Sequence, residues 1–218
     1  MNCCGHCQDA GELFDQKVAR REMRRYRSRG PSKNTRRLLD ALLSQRRDDD
    51  TVLDIGAGVG AIPLELLGAG FSRAIQVDAS PAYLEVSQHE AARRGFDDRI
   101  TYRFGDFTDV ASDVDLADVV TLDRVLCCYP DVDRLVAASA SKARHLYGVV
   151  FPRERLVTRL GTTLGNLYFR LRGGAFRTYI HSRERVEDIL RQAGFRRTSH
   201  AQSFLWQVAV YERVEALH

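Results

Sequence analysis

The sequence predicts an α/β fold, a mostly parallel sheet with helices on both faces. Three observations predict it. Short apolar runs alternate with helical stretches between residues 51 and 151, the rhythm of strand–helix–strand units whose crossovers place helices on the sheet faces. A glycine-rich turn, Gly56-Ala57-Gly58-Val59-Gly60, follows the first of these strands and leads into a helix. Acids stand at the carboxyl ends of three consecutive strands: Asp54, Asp78 and Asp106. The 218 residues suit one sizeable domain, with core enough to fold without metal or disulfide.

The elements follow in order. Glu12 to about Arg27 reads as a basic helix with a sparse apolar side of Leu13, Phe14 and Val18, broken at Gly30-Pro31-Ser32. A second helix carries Leu38, Leu39, Leu42 and Leu43 at helical spacing. Strands are predicted at 51–55, 74–77, 100–104, 119–122 and 146–151, with helices starting at Ile62, at Pro81 and at about Val132, the last running to His145. Residues 153–172 place Leu156, Leu160, Leu164, Leu167, Tyr168 and Leu171 on one helical face among five arginines. Ser182 is an expected N-cap for a helix over 183–193, with Gly194 as its stop. The tail, 196–214, has two strand-like runs about a turn near Gln202-Ser203, a hairpin-like end. The organisation expected is a basic helical arm over 1–47 and a core over 48–218, with a lid insertion at 152–180.

Charge is divided unevenly. Residues 17–47 hold twelve Lys/Arg against Glu22 and Asp40, a charge of +10, so the remainder carries −6 beneath a total of +4. A basic arm on an acidic body raises nucleic acid, a membrane surface or an anionic ligand as partners. Few aromatics interleave with these arginines, which disfavours base stacking and nucleic acid. A cover over an anionic ligand is the favoured reading, with Tyr26, Arg29 and Lys33 as contacts. The five cysteines, at 3, 4, 7, 127 and 128, form no secreted disulfide framework. No signal-peptide layout opens the chain, and no run nears the about 20 apolar residues of a membrane span. The expectation is a cytoplasmic protein. Cys3, Cys4 and Cys7 are the only thiolate cluster with metal-ligand spacing, and no completing ligand set is visible; no metal is expected.

The sharpest chemical signal is VLDIGAGVG, residues 52–60. Glycines there let a ligand approach the backbone at a helix N-terminus. Asp78, 24 residues after Asp54, can accept hydrogen bonds from both hydroxyls of a ribose. Asp106 can accept from an adenine amino group, with Phe107 beside the ring.

These motifs, DIGAGVG, VDAS, GDF and TLDRVLCCYPD in that order, resemble those of the class I S-adenosylmethionine-dependent methyltransferases over about residues 48–215. The resemblance implies a Rossmann-like seven-stranded sheet with an antiparallel last strand, and S-adenosylmethionine as cofactor. It assigns Asp54 and the backbone of Gly56, Ala57 and Gly58 to the methionine part. Asp78 and Ala79 fall to the ribose, Asp106 and Phe107 to the adenine, and Asp123 with Arg124 to the pocket floor. Where related chains commonly read VLHHLPD, this one has Cys127, Cys128 and Tyr129 in VLCCYPD, so a histidine-based role there is lost. The absence of an Asn/Asp-Pro-Pro-Tyr motif argues against amino-group methylation of adenine or glutamine. Within the superfamily, the arm and the arginine-bearing insertion are loosely similar to the magnesium-protoporphyrin and ubiquinone-biosynthesis methyltransferases.

The expected reaction is methyl transfer to a small, partly apolar acceptor, with oxygen preferred. Candidate bases are Asp123, Tyr129 and His181. An RNA or protein methyltransferase using the arm for docking, an NAD-binding oxidoreductase and a non-catalytic cofactor-binding protein are the alternatives. Cys127 and Cys128 read first as small buried hydrophobes. The 153–172 helix reads as a lid whose apolar stripe covers the substrate, with peripheral contact to a membrane surface as the other use of a basic amphipathic helix.

Overall fold

The computed structural model describes residues 14–172 and 176–214. Seven strands form one sheet in the order β3-β2-β1-β4-β5-β7-β6. They are β1 (Thr51–Ile55), β2 (Arg73–Asp78), β3 (Ile100–Phe104), β4 (Ala117–Asp123), β5 (Ala143–Pro152), β6 (Phe195–Gln202) and β7 (Trp206–Arg213). β7 is antiparallel to both its neighbours, and the other pairings are parallel. The helices are α1 (Gln16–Arg29), α2 (Lys33–Leu43), α3 (Ala61–Gly68), α4 (Pro81–Arg94), α5 (Phe107–Val110), α6 (Val132–Ala140), α7 (Leu156–Leu171) and α8 (Arg183–Gln192). This is the Rossmann-like fold expected, with the antiparallel strand in place.

Caps set most helix starts. Asp15, Ser32, Ser80, Asp106, Asp131 and Ser182 each accept an amide N–H of the first turn, which relieves donors a helix leaves unpaired. Gly95 closes α4 in the left-handed region.

Alternation along the strands divides the core. Leu53, Val120, Tyr147, Val149 and Tyr211 face α6 and α8. Val52, Val119, Leu146, Val150 and Val210 face α1 to α4. The arm is therefore part of the main core: Ala19, Met23, Leu38, Leu39 and Leu42 are buried in it. Gly148 makes room for α2, since a Cβ there would lie 2.8 Å from Leu38 Cδ1. The division at residue 47 is one of charge, not of packing.

Two expectations need correction. The helix after β4 ends at Ala140, not His145, because Ala143 pairs with Ala117 and draws residues 143–145 into β5. The second correction concerns α7. Its apolar stripe does not face the protein: no α7 residue is buried, and the leucines point outward. The opposite face is held instead. The Asn166 side chain donates to the Thr178 carbonyl and accepts from its N–H, both at 2.8 Å, and Phe169 meets Phe176 edge-on at 5.4 Å.

Candidate active site

Strand order reverses direction between β1 and β4, and ligands of such sheets sit beyond the carboxyl ends at that switch point. A cavity of about 350 Å³ opens there, within the size range of small-molecule sites. The residues expected from the strand-end motifs line it, Asp54, Gly56, Ala57, Gly58, Asp78, Ala79, Asp106, Phe107, Asp123 and Arg124, and so does Tyr26 of the arm.

The turn after β1 is built for close approach. Gly56 has φ +64°, and a Cβ on it would lie 2.5 Å from Val125 Cγ2. Gly58 has φ +54° with open space where its Cβ would stand, so a ligand can rest against bare backbone. Its N–H donates to Asp78 Oδ2 at 2.7 Å, while Oδ1 accepts from Ser80 N at 2.8 Å. Burial nonetheless pushes the Asp78 carboxyl up to about 6, against those two amides and with help from Glu22. Asp54, fully enclosed, accepts from Thr121 Oγ1 at 2.6 Å. Burial raises its pKa well above the usual carboxylate range, and the Asp123 and Asp78 charges add to the rise.

Asp106 caps α5, accepting from Thr108 N at 2.9 Å and from the Tyr129 hydroxyl at 3.0 Å. The Asp123 carboxylate is held from two sides, by Thr35 Oγ1 at 2.5 Å and Arg124 Nε at 3.0 Å. Arg124 itself takes φ +64°, a conformation rare outside glycine and concentrated at functional sites. Its N–H is fixed by the Val150 carbonyl at 2.8 Å.

Of the three base candidates, Asp123 and Tyr129 line the cavity and His181 does not. His181 Nε2 lies 2.9 Å from the Tyr129 carbonyl oxygen. A carbonyl only accepts, so this nitrogen carries a proton, and His181 positions the Tyr129 backbone. The Tyr129 hydroxyl is raised above its ordinary value, first by burial and then by Asp106. It is a donor to Asp106, a poor base.

The arm supplies residues that sequence reasoning passed over. Glu22 and Arg25 line the cavity with Tyr26; Arg29 and Lys33 do not. The spacing i, i+3, i+4 puts those three on one helix face, and that periodicity was the available signal. The Tyr26 hydroxyl donates to Glu65 at 2.6 Å, so its ring edge meets the cavity while its oxygen anchors the arm. Glu22 accepts from the Tyr83 hydroxyl at 2.9 Å. Phe14 packs on Tyr83 at 5.6 Å and on Phe176 at 6.1 Å, forming an aromatic wall. Cys128 also lines the cavity, and Cys127 is buried behind it with Sγ 3.7 Å from its neighbour. Cys3, Cys4 and Cys7 lie outside the described residues.

A glycine turn at the switch point and an acid at the carboxyl end of each of four strands define a protein that binds a nucleoside-type cofactor. Three comparisons refine that class. The profile of a methyltransferase-domain family matches residues 23–200. A probable cobalt-precorrin-6B C(15)-methyltransferase of Methanothermobacter thermautotrophicus is 25% identical over 122 residues, 56% of this chain and 55% of that one. The chain thus spans about half the length of this curated relative. The magnesium protoporphyrin IX methyltransferase of Synechocystis with bound S-adenosylhomocysteine (SAH) has a TM-score of 0.72 at 18% identity, covering 94% of this chain and 98% of that one. An O-methyltransferase family 2 protein of Planctomyces limnophilus, in complex with apigenin, has a TM-score of 0.67 at 20% identity, covering 91% and 62%.

The chain belongs to the methyltransferase-domain family, and its class is that of the S-adenosylmethionine-dependent methyltransferases of class I. The oxidoreductase alternative falls with that assignment. No helix among the described residues is long and apolar enough to cross a membrane.

Proposed function

We propose that the chain methylates an oxygen of a small, partly apolar acceptor, and that the acceptor oxygen is anionic, as in a carboxylate. The carrying observation is that the carboxylate and the phenol best placed to act as bases are already engaged, Asp123 by Thr35 and Arg124, Tyr129 by Asp106. An acceptor that is already ionised at neutral pH needs no proton removed. Arg25 and Arg124 line the cavity and supply positive charge for such a group. Phe14, Tyr83, Val125 and Phe176 supply an apolar wall, consistent with an acceptor that carries an apolar body.

The site suits S-adenosylmethionine. The bare backbone at Gly58, the carboxylates of Asp78 and Asp106 and the ring of Phe107 would hold its methionine, ribose and adenine parts respectively. When bound, S-adenosylmethionine supplies an electrophilic methyl group. The chain's own work is alignment and exclusion of water: α1 and Phe176 roof the cavity, and Arg124, locked by its backbone, orients the acceptor's charge.

The test is SAH release across a panel of aromatic and aliphatic carboxylic acids, phenols, thiols and amines. Turnover of carboxylic acids, with kcat level from pH 6.5 to 9, is the expected result. Turnover confined to amines, to RNA or to a protein substrate would overturn the proposal.

A further inference from the structure

Helix α7 is amphipathic in the reverse of the usual sense. Thr158, Thr162, Gly165, Asn166 and Phe169 form its half-buried side against the protein. Leu156, Leu160, Leu164, Leu167, Tyr168 and Leu171 are 51–85% exposed. At about 100° per residue these six share an arc of roughly 120°. The turn between β6 and β7 extends the patch. Phe204 and Leu205 are exposed there, and they are tied to the start of α7: Arg153 N donates to the Leu205 carbonyl at 2.8 Å, and the Arg155 guanidinium stacks on Phe204 at 5.2 Å. Contiguous exposed apolar surface of this kind marks an interaction site.

Charge decides what covers it. Residues 153–172 carry Arg153, Arg155, Arg159, Arg170 and Arg172 against the single acid Glu154, a charge of +4. Glu154 is already engaged by Arg159 at 3.4 Å. Two copies meeting along this face would bring together two such segments with no free acid to pair them, so self-association is opposed. An anionic bilayer meets both halves of the pattern. The leucines enter the headgroup–acyl boundary, while the arginines extend along their stems to lipid phosphates.

We propose that the outer face of α7, with Phe204 and Leu205, is a docking surface for a bilayer containing anionic phospholipid. The surface communicates with the cavity. Phe169 on the inner side of α7 meets Phe176, which lines the cavity and packs on Phe14. Docking therefore sets the cavity's aromatic wall one side chain away from the lipid-facing helix.

Co-sedimentation of the full chain with vesicles of phosphatidylcholine, with and without phosphatidylglycerol, tests this. At physiological ionic strength, partitioning onto the phosphatidylglycerol vesicles is expected to exceed that onto phosphatidylcholine alone by about tenfold or more. The double variant Leu160→Asp, Leu164→Asp should lose about tenfold or more of that binding. Its circular dichroism and its affinity for SAH should be unchanged, since neither side chain enters the core. Equal vesicle binding by the wild type and the double variant overturns the proposal, because the basic arm would then be the attachment. So does a chain that ignores both vesicle types, whether it sediments as a monomer or as a dimer that the leucine substitutions split.

Discussion

At the scale of single residues, the site is organised by carboxylates removed from water. Asp54 and Asp78 are both pushed up by burial, Asp78 to about 6. If the Asp78 carboxylate accepts from ribose hydroxyls, binding favours the charged form. SAH affinity should then weaken as pH drops through about 6. Asp78→Asn should bind more weakly above that pH, by roughly tenfold, and respond less to pH. Calorimetric titration of SAH between pH 5 and 8 measures both slopes; an Asp78→Asn slope as steep as the wild type's would count against the assignment. The four acids, Asp54, Asp78, Asp106 and Asp123, were legible in the sequence because each stands at the carboxyl end of a strand. Their hydrogen-bond partners were not. Thr35 reaches Asp123 and Thr121 reaches Asp54 across 88 and 67 residues of chain, and no local pattern encodes such a pairing.

At the scale of elements, the ion pair of Arg27 with Glu90 fastens α1 to α4. Glu90 has no exposed side-chain surface and takes three guanidinium groups, from Arg93, Arg27 and Arg94. Their hydrogen bonds, Arg93's foremost, hold its pKa down to about 2 against an ordinary 4.5. A depressed carboxylate stabilises the fold above its unfolded pKa and loses that contribution as pH falls through the folded one. Glu90→Gln should therefore lower stability at pH 7 by on the order of 1 kcal/mol, a modest figure because the arginines are partly in solvent. The gap between variant and wild type should close between pH 4.5 and 2. Thermal melts across that range follow it, and a gap that does not change with pH would sink the idea. The strands were visible in sequence from their apolar runs, and the cap of α8 from Ser182; the caps of α1 and α4, Asp15 and Ser80, were not. The direction of α7 was not. Its 3.6-residue periodicity locates an apolar stripe but not what the stripe faces, and Asn166 gripping Thr178 turns it outward.

At the scale of the molecule, the described part of the basic arm packs into the same apolar cluster as one face of the sheet. Leu38 and Leu42 fill the space that Gly148 leaves on β5, and Met23 joins the same cluster. Leu38→Ala should cost about 2–5 kcal/mol, and the loss should appear in a single transition rather than in early melting of the arm. Following unfolding by far-ultraviolet circular dichroism and by Trp206 fluorescence together checks this. Two separated midpoints would show that the arm folds on its own.

The sequence by itself determined the strand order's raw material, the glycine turn, the carboxylates at the strand ends and the superfamily they resemble. These are local features, since an apolar run, a φ that only glycine takes easily and an acid after a strand are each written in a few consecutive residues. Only the tertiary structure decided that Arg25 and not Arg29 reaches the cavity, that His181 supports Tyr129 from outside it, and that the arm shares the sheet's core. It alone decided that the leucines of α7 look away from the protein. Each of these depends on how two elements distant in the chain pack together, and packing is settled by the sum of many weak contacts that no short stretch of sequence contains.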